Sequence, residues 1–182
     1  MIFKSLGKNC KISDKISVFN GHVIEIGDNV RIDDFCILSG GSGLNIGSHI
    51  HIAAGCYFYA GSGIIIHDFV QIAPRCTFVS ESDDFSGHSL VGPCVPMKFK
   101  PQYERGTIVL YRHVLMGAHC VVFPGVILNE GAAVGAGSVV TKDCYTWSIY
   151  AGVPAKYKKL RSTAMKDLER QFLEEYYGRR CA

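Results

Sequence analysis

The sequence lacks any long hydrophobic run and any block of charge of one sign. No stretch approaches the roughly 18 consecutive apolar residues that a membrane-spanning helix needs. The opening residues, MIFKSLGKNC, contain no apolar run of the length found in signal peptides. Charged residues make up 19% of the chain and the formal net charge is +3, which argues against a nucleic-acid-binding block or a disordered acidic segment. We therefore expect a cytosolic protein.

A Cys-x-x-Cys pair is also missing, although the chain has eight cysteines, so we expect no structural zinc site. With 182 residues, of which 48% are hydrophobic, the chain can bury one sizeable core and does not need a second domain. The order in which the hydrophobic residues occur indicates the fold class.

The stretch from Leu110 to Tyr145 divides into rows of six residues: LYRHVL, MGAHCV, VFPGVI, LNEGAA, VGAGSV and VTKDCY. Each row begins with an aliphatic residue and has a small or β-branched residue four places later. A period of six fits neither the turn of an α-helix nor the two-residue repeat of an ordinary strand. It fits a chain that turns a corner every six residues, so that three rows complete one triangular coil.

The same repeat occurs in the earlier part of the chain, where each coil is longer. The row-opening residues there are Leu6, Ile12, Val18, Ile26, Ile32, Leu38, Ile46, Ile52, Phe58, Ile66, Ile72 and Phe78. The step is six within a triplet and eight between triplets, which gives coils of 20 residues with a wider bend at one corner. Glycine-rich sequences such as SGGSG and AGSG fall at that corner, where a turn is needed. The pattern predicts an all-β solenoid of stacked coils.

Most of the cysteines follow this phase. Those that lie four places after a row-opening residue are Cys10, Cys36, Cys56, Cys76, Cys120 and Cys144. This position should point inward and needs a small side chain, because stacked coils are only about 4.8 Å apart. In a reducing cytosol these residues should be free, buried thiols. Only Cys94 and Cys181 fall outside the pattern.

Three segments resemble the hexapeptide-repeat acyltransferases: IGDNVRI at 26–32, VGAGSVVTKD at 134–143 and AGVPAK at 151–156. The resemblance covers nearly the whole chain up to Lys156 and is greatest to the sugar O-acetyltransferases of the galactoside and polysaccharide type. It implies a left-handed parallel β-helix for residues 1–156, whereas the helical extension predicted for residues 157–182 rests on the pattern of that segment itself. It also implies a homotrimer that binds acetyl-CoA along the helix edge between neighbouring subunits.

One long segment interrupts the repeat. Residues 79–107 combine prolines, glycines, charged residues and aromatics without any period. A loop of this length is usually either functional or disordered, and its aromatic and apolar residues argue against disorder. We interpret it as the acceptor-binding and catalytic loop.

A second segment, after Lys156, has the pattern of an amphipathic helix. Its apolar stripe consists of Met165, Leu168, Phe172 and Tyr176. Ser162 or Thr163 is a plausible cap and Gly178 a plausible stop. We expect the apolar face to pack against the coils or a neighbouring subunit.

The resemblance implies that the acetyl-CoA donor lies along the last rows. Ala136, Thr141, Lys142 and Lys156 fall on the positions that contact the cofactor in the related enzymes. The residue types are suitable, because small residues allow the pantetheine arm to approach the backbone and lysines can meet the nucleotide phosphates.

The acceptor hydroxyl needs a group that takes its proton, and histidine suits this role at neutral pH. The related enzymes usually have a histidine shortly after the coil that precedes the loop, whereas this chain has carboxylates there: Glu81, Asp83 and Asp84. The nearest histidine is His88. Either His88 is the base, oriented by Asp84 or Asp83, or Glu81 or Asp83 is the base with a pKa raised by burial, or the loop binds without catalysing. We favour His88.

The other histidines are expected to have packing roles. His113 is an exception, because it follows the loop closely and could line the same cleft. Together with His51 and His67 it also suggests zinc, as in the related gamma-class carbonic anhydrases, but their paired-histidine spacing is absent and we expect no metal site.

The function predicted from the sequence is acetyl transfer from acetyl-CoA to a sugar hydroxyl, as in polysaccharide biosynthesis. One alternative is N-acetylation of a nucleotide-linked amino sugar, which needs no strong protein base because an amine is already nucleophilic. The other is a trimeric binding module without catalytic activity. The missing histidine gives the N-acetylation alternative weight.

Overall fold

The computed structural model describes residues 3–178 and shows a stack of triangular coils with one helix at its C-terminal end. The strands form three parallel sheets, which we call A, B and C, and each coil contributes one short strand to each sheet. In the first four coils the strands are β1 Ser5–Leu6, β2 Lys11–Ile12, β3 Ser17–Phe19, β4 Ile24–Ile26, β5 Arg31–Ile32, β6 Ile37–Ser39, β7 Leu44–Ile46, β8 His51–Ile52, β9 Tyr57–Tyr59, β10 Ile64–Ile66, β11 Gln71–Ile72 and β12 Thr77–Val79.

The remaining elements comprise a small ribbon, two further coils, a capping pair of strands and the helix. They are β13 Glu81–Ser82, β14 Glu104–Arg105, β15 Ile108–Leu110, β16 Leu115–Met116, β17 Val121–Val122, β18 Ile127–Leu128, β19 Ala133–Val134, β20 Val139–Val140, β21 Ser148–Ala151, β22 Lys156–Leu160 and α1 Met165–Tyr177. Single 3₁₀ turns occur at Gly21–Val23 and Met97–Phe99.

The strand register confirms the predicted phase. In sheet A, Ile26, Ile46, Ile66, Leu110 and Leu128 are successive partners, so every row-opening residue stacks directly on the one before it. Sheets B and C repeat this arrangement. The stacked aliphatic residues fill the interior, and the solenoid predicted from the period of six is therefore the observed fold.

The first coil is the exception to burial. Leu6 is 48% exposed, and Cys10 is only half-buried. The cause is position, because β1, β2 and β3 each stand at the end of their sheet and have a neighbour on one side only. Among residues 3–178 no strand covers this lower edge of the stack.

The inward cysteines form a column of free thiols. Each Sγ lies close to a carbonyl oxygen of the next coil: Cys36 to Ala53 at 3.4 Å, Cys56 to Ala73 at 3.3 Å, Cys76 to Gly117 at 3.1 Å and Cys120 to Gly135 at 3.2 Å. At the top of the stack, burial raises the pKa of Cys144 to about 12. The thiols of Cys36, Cys56, Cys76, Cys120 and Cys144 are fully buried, as the sequence predicted.

Brief treatment of the folded protein with a maleimide should modify Cys94, which is exposed, and leave the buried thiols of Cys36, Cys56 and Cys76 unmodified. The reason is that only an accessible thiolate reacts quickly. Peptide mapping by mass spectrometry checks this result, with unfolded protein as the control in which all of them react. Modification of Cys56 in folded protein would contradict the assigned phase. Cys181, the other cysteine outside the repeat pattern, should react as well, but it lies outside the described residues.

The C-terminal end of the stack is covered by a strand that the sequence pattern did not predict. Strand β22 runs antiparallel to β21, with Lys156 opposite Ala151. The expected helical extension at 157–182 is therefore wrong at its start, because the chain is extended up to Leu160 and the helix begins at Met165.

The helix otherwise follows the sequence pattern with two corrections. Its N-cap is Ala164 rather than Ser162 or Thr163, although the Ser162 hydroxyl accepts a hydrogen bond from the Ala164 N–H at 3.2 Å. Gly178 ends the helix with a left-handed φ of 59°, as expected. The helix packs on the coils through Phe172, whereas Tyr176 is 67% exposed and does not belong to the packed face. Among residues 3–178 no helix is long and apolar enough to cross a membrane.

Candidate active site

The loop at 79–107 leaves the stack where sheet C leads into sheet A, a position that we call the C–A corner. Its two ends pair as an antiparallel ribbon, with Glu81 opposite Arg105. The Glu81 carboxylate accepts hydrogen bonds from the Ser62 hydroxyl at 2.7 Å and the Tyr103 hydroxyl at 3.1 Å. Burial and the negative charge of Glu81 raise the pKa of Tyr103, so its hydroxyl stays protonated and donates. The base of the loop is therefore held rigidly.

Asp83 anchors the middle of the loop. Its carboxylate lies 2.7 Å from the Lys100 ammonium and accepts the Gly92 N–H at 2.9 Å. The Lys100 side chain is buried, with only 3% of it exposed, and its ammonium also lies 4.8 Å from the centre of the Tyr103 ring. The hydrogen bond from Lys100, followed by the one from Gly92, lowers the pKa of Asp83. The expectation that burial raises the pKa of Asp83 is therefore wrong, and its role as a base stays a prediction.

The Ser86 hydroxyl links the Asp84 carboxylate to the His88 ring. Asp84 accepts hydrogen bonds from the Ser86 N–H at 2.7 Å and the Ser86 hydroxyl at 2.6 Å, and these bonds lower its pKa. The other Asp84 oxygen accepts the His88 N–H, and the Ser86 hydroxyl lies 2.7 Å from His88 Nδ1. Asp84 therefore reaches the His88 ring through the Ser86 hydroxyl, and the role of His88 as a base stays a prediction. His88 is exposed on the loop. Its Nδ1 faces the Ser86 hydroxyl, and its Nε2 is the ring nitrogen that does not take part in this contact.

The residues predicted to contact the cofactor surround the last coil, and all of them are exposed: Ala136, Thr141, Lys142 and Lys156. Lys156 sits beside Val139, because the Ala155 N–H donates to the Val139 carbonyl at 2.8 Å. In sheet C, Val121 pairs with Thr77 and Val139 pairs with Val121, so Val139 is two coils above Thr77. Lys142 therefore lies at the C–A corner two coils above the start of the loop. At about 4.8 Å per coil, roughly 10 Å separates the two backbone levels.

His113 does not line the cleft of the loop, contrary to expectation. It is buried where sheet A leads into sheet B, with its Nε2 2.7 Å from a carboxylate oxygen of Glu169 on the helix. Its ring stacks on Phe69 at 5.5 Å. Burial, followed by the positive charge of Arg112, lowers the pKa of His113. The residue therefore joins the helix to the coils.

The two other histidines considered for zinc also have separate partners. His51 Nε2 lies 2.8 Å from a carboxylate oxygen of Asp33, and the His67 ring stacks on Tyr111 at 4.8 Å. Within residues 3–178, histidine, cysteine and carboxylate side chains form no group of three or more that could hold a metal ion.

The sequence reasoning missed the residues that organise the loop: Ser62, Ser86, Lys100 and Tyr103. The sequence carries no signal for Lys100, because Lys98 stands two positions before it in the same stretch and is exposed. The partnerships themselves join residues as many as 22 positions apart, and the loop has no period that would reveal them.

Comparisons with known proteins agree with this fold. Residues 112–142 match the family model described as the hexapeptide repeat of succinyl-transferase. The structure superimposes with a TM-score of 0.92 on AntD, an N-acyltransferase from Bacillus cereus solved in complex with dTDP and 3-hydroxybutyryl-CoA. The two are 46% identical, over 96% of this chain and 92% of that chain. This chain belongs to the hexapeptide-repeat acyltransferases, whose fold is the left-handed parallel β-helix.

Among individual relatives, a variant of AntD has been solved with dTDP-4-amino-4,6-dideoxyglucose and coenzyme A, and is again 46% identical with a TM-score of 0.93. The dTDP-4-amino-4,6-dideoxy-D-glucose acyltransferase of Escherichia coli is 41% identical over 54% of this chain and 51% of its own length. The chain thus spans about half the length of this curated relative. A maltose O-acetyltransferase from Clostridium difficile has 20% identity and a TM-score of 0.58, which indicates a shared fold only.

Proposed function

We propose that this protein transfers an acyl group from an acyl-CoA to the amino group of a nucleotide-linked 4-amino-4,6-dideoxy sugar. The observation that carries the proposal is the 46% identity to AntD over 92% of that chain. Two proteins with such sugars in their names or complexes are thus similar to this chain at 41% identity or more. The sugar O-acetylation expected from the sequence has less support, because the similarity to the maltose enzyme concerns the fold alone.

The chemistry fits a loop without a dedicated base. The neutral amine attacks the thioester carbonyl, a C–N bond forms, the C–S bond breaks, and the amine proton leaves with the coenzyme A thiol. An amine attacks without prior removal of its proton, so no strong base is needed before the bond forms. Asp83 is held by Lys100 and Glu81 by Ser62 and Tyr103, so these carboxylates can orient an acceptor.

The acyl donor is proposed to lie along the last coil, against Ala136 and Thr141, with its phosphates near Lys142 and Lys156. The AntD complexes with coenzyme A and 3-hydroxybutyryl-CoA support a donor of this chemical class. The proposed assembly is the homotrimer implied by the family, and sedimentation at micromolar concentration tests it. The protein is proposed to act in the cytoplasm.

Replacing Lys142 or Lys156 by alanine should weaken the binding of coenzyme A about tenfold or more, because each substitution removes a charge-assisted contact to phosphate. Calorimetric titration measures the change. The matched control is Lys11→Ala, which removes an exposed lysine at the other end of the stack. Binding of pantetheine, which lacks the phosphates, should be the same in all variants. Unchanged coenzyme A affinity in both Lys142→Ala and Lys156→Ala would place the cofactor elsewhere.

The function is tested by measuring the release of coenzyme A thiol with two matched acceptors. One is dTDP-4-amino-4,6-dideoxyglucose, and the other is dTDP-6-deoxyglucose, which carries a hydroxyl at the same carbon. We expect release with the amine and none above background with the hydroxyl. The donors are acetyl-CoA and 3-hydroxybutyryl-CoA. Release with only the hydroxyl acceptor would support sugar O-acetylation as the function. Release with neither acceptor would support a binding module.

The variant His88→Ala tests whether His88 acts as a general base. If the acceptor is an amine, His88→Ala should keep turnover within about tenfold of the parent, whereas loss of a general base costs about 10²–10⁴-fold. A loss of that size would identify His88 as the base after all. Glu81→Gln and Asp83→Asn, measured on the same acceptor, test the two carboxylates.

A further inference from the structure

A cleft with aromatic walls lies where sheet B leads into sheet C, a position that we call the B–C corner. Its volume is 490 Å³, within the range of small-molecule sites. The residues that line it are Phe35, Ala54, Gly55, Tyr57, Pro74 and Arg75. None of them belongs to the loop at 79–107 or to the predicted cofactor positions.

The backbone register builds this cleft from three successive coils. At the corner the Gly55 N–H donates to the Asp34 carbonyl at 3.0 Å, and the Arg75 N–H donates to the Ala54 carbonyl at 3.0 Å. Phe35, Gly55 and Arg75 therefore stand one above another. Gly55 has no side chain and a φ of 71°, and a Cβ added there would lie 3.3 Å from Arg75 Cγ. The result is a notch one coil high, with an aromatic ring below and a guanidinium above.

Two aromatic side chains and a guanidinium are presented to solvent around the notch. Phe35 is 63% exposed, and its φ of 61° is shared by the corner residues Phe69 and Arg75, so it follows from the turn. Tyr57 is 37% exposed. Arg75 is also exposed, and no side chain among residues 3–178 pairs with its guanidinium. The Lys15 ammonium lies 5.8 Å from the centre of the Phe35 ring and is paired with Asp34 at 3.1 Å, so Arg75 is the cation of the cleft that is left for a ligand.

We propose that this cleft binds the nucleoside diphosphate of the acceptor, an inference that rests on the proposed function. Aromatic faces stack on a nucleobase, and a guanidinium binds phosphate through paired hydrogen bonds. Phe35 and Tyr57 hold the base, and Arg75 holds the diphosphate. The combination of an exposed aromatic pair with an unpaired arginine distinguishes this cleft from an ordinary apolar contact surface.

The position of the cleft agrees with the rest of the site. Above Arg75 on the same corner, the His119 N–H donates to the Pro74 carbonyl at 2.9 Å, and the Gly137 N–H donates to the Ala118 carbonyl at 2.8 Å. Gly137 follows Ala136, so the predicted donor site is two coils, or roughly 10 Å, above Arg75. A single sugar ring joined to the diphosphate spans about that distance. The loop stands at the other end of sheet C, beyond β12, so the cleft and the loop flank the same face.

The test is equilibrium binding of dTDP and of thymidine to the full-length protein by calorimetry. Arg75→Ala should weaken the binding of dTDP about tenfold or more and leave the binding of thymidine unchanged, because thymidine has no phosphate. Phe35→Ala should weaken both ligands by about tenfold, because stacking is lost. Binding of coenzyme A should be unchanged in both variants. The matched control is Arg31→Ala, which removes an exposed arginine of sheet B that is paired with Asp33.

The other outcomes distinguish a failure of the proposed cleft from a failure of the proposed function. Parent-like dTDP binding in Arg75→Ala and Phe35→Ala overturns the cleft and leaves the proposed function standing. Weaker dTDP binding accompanied by a changed sedimentation coefficient also overturns it, because the patch would then be a contact between copies of the chain. If the parent binds UDP but not dTDP, and Arg75→Ala abolishes that binding, the cleft is supported and the proposed sugar nucleotide is wrong. A parent that binds no nucleoside diphosphate overturns both.

Discussion

Phe78→Ala should lower the free energy of unfolding by about 3–5 kcal/mol, the range found for removing a large aromatic side chain from a packed core. Phe78 is fully buried and stacks on Phe58, with ring centroids 4.9 Å apart and an interplanar angle of 6°. It also closes the last coil before the loop. The coils above and below are fixed by backbone hydrogen bonds, so they cannot collapse into the space that the ring leaves.

Denaturant titration followed by circular dichroism measures this effect at a fixed protein concentration, because association of copies would otherwise change the apparent stability. The control is Phe19→Ala in the same sheet, where the ring is 57% exposed. That substitution should change the free energy of unfolding by about 0.5 kcal/mol or less. Equal effects of the two substitutions would show that Phe78 does not belong to the core.

Lys100→Met should reduce turnover about a hundredfold while leaving the unfolding transition of the coils nearly unchanged. Lys100 is the buried partner of Asp83, and its ammonium also packs on Tyr103, which holds Glu81. Methionine has a similar length but no charge, so Asp83 loses its main partner and the loop loses its fixed form. A displacement of about 1 Å in a positioning element is enough to cost that factor in rate.

Lys98→Met is the matched control, because Lys98 lies in the 3₁₀ turn Met97–Phe99 directly before Lys100 but is exposed. It should retain parental turnover. Hydrogen exchange of the loop amides should increase in Lys100→Met and not in Lys98→Met, which separates loss of loop order from loss of a chemical group. A fully active Lys100→Met would show that the loop keeps its working form without the ion pair, or that the loop takes no part in the reaction.

The coils could be predicted from the sequence because their contacts repeat. Once Ile26 is placed, the register fixes Ile46 and Ile66 at the same position one and two coils higher. The small residue four places after each row-opening residue follows from the same spacing, so Cys56 and Cys76 were predicted to be buried without any structure. The strand β22 was missed because it has no period and is recognised only by its pairing with β21.

The loop shows why the candidate site was predicted only in part. The segment was recognisable because it breaks the repeat, and its carboxylates were visible, but their partners depend on how the loop folds back. Asp83 finds Lys100 seventeen positions later, and Asp84 is occupied by Ser86 instead of the His88 ring. His113 was misplaced for the same reason, because its partner Glu169 lies on a helix 56 residues further along the chain.

The uncovered lower edge of the stack bears on how copies of this chain meet each other. Strands β1, β2 and β3 present backbone groups that another sheet edge could extend into a filament. The first coil carries Lys4, Lys8, Lys11 and Lys15, all of them exposed. Two such ends brought face to face would set eight ammonium groups against one another, four of which are paired to acids of the next coil through Lys4 and Lys15. Repulsion between the lysines at positions 8 and 11 of the two copies opposes end-to-end polymerisation.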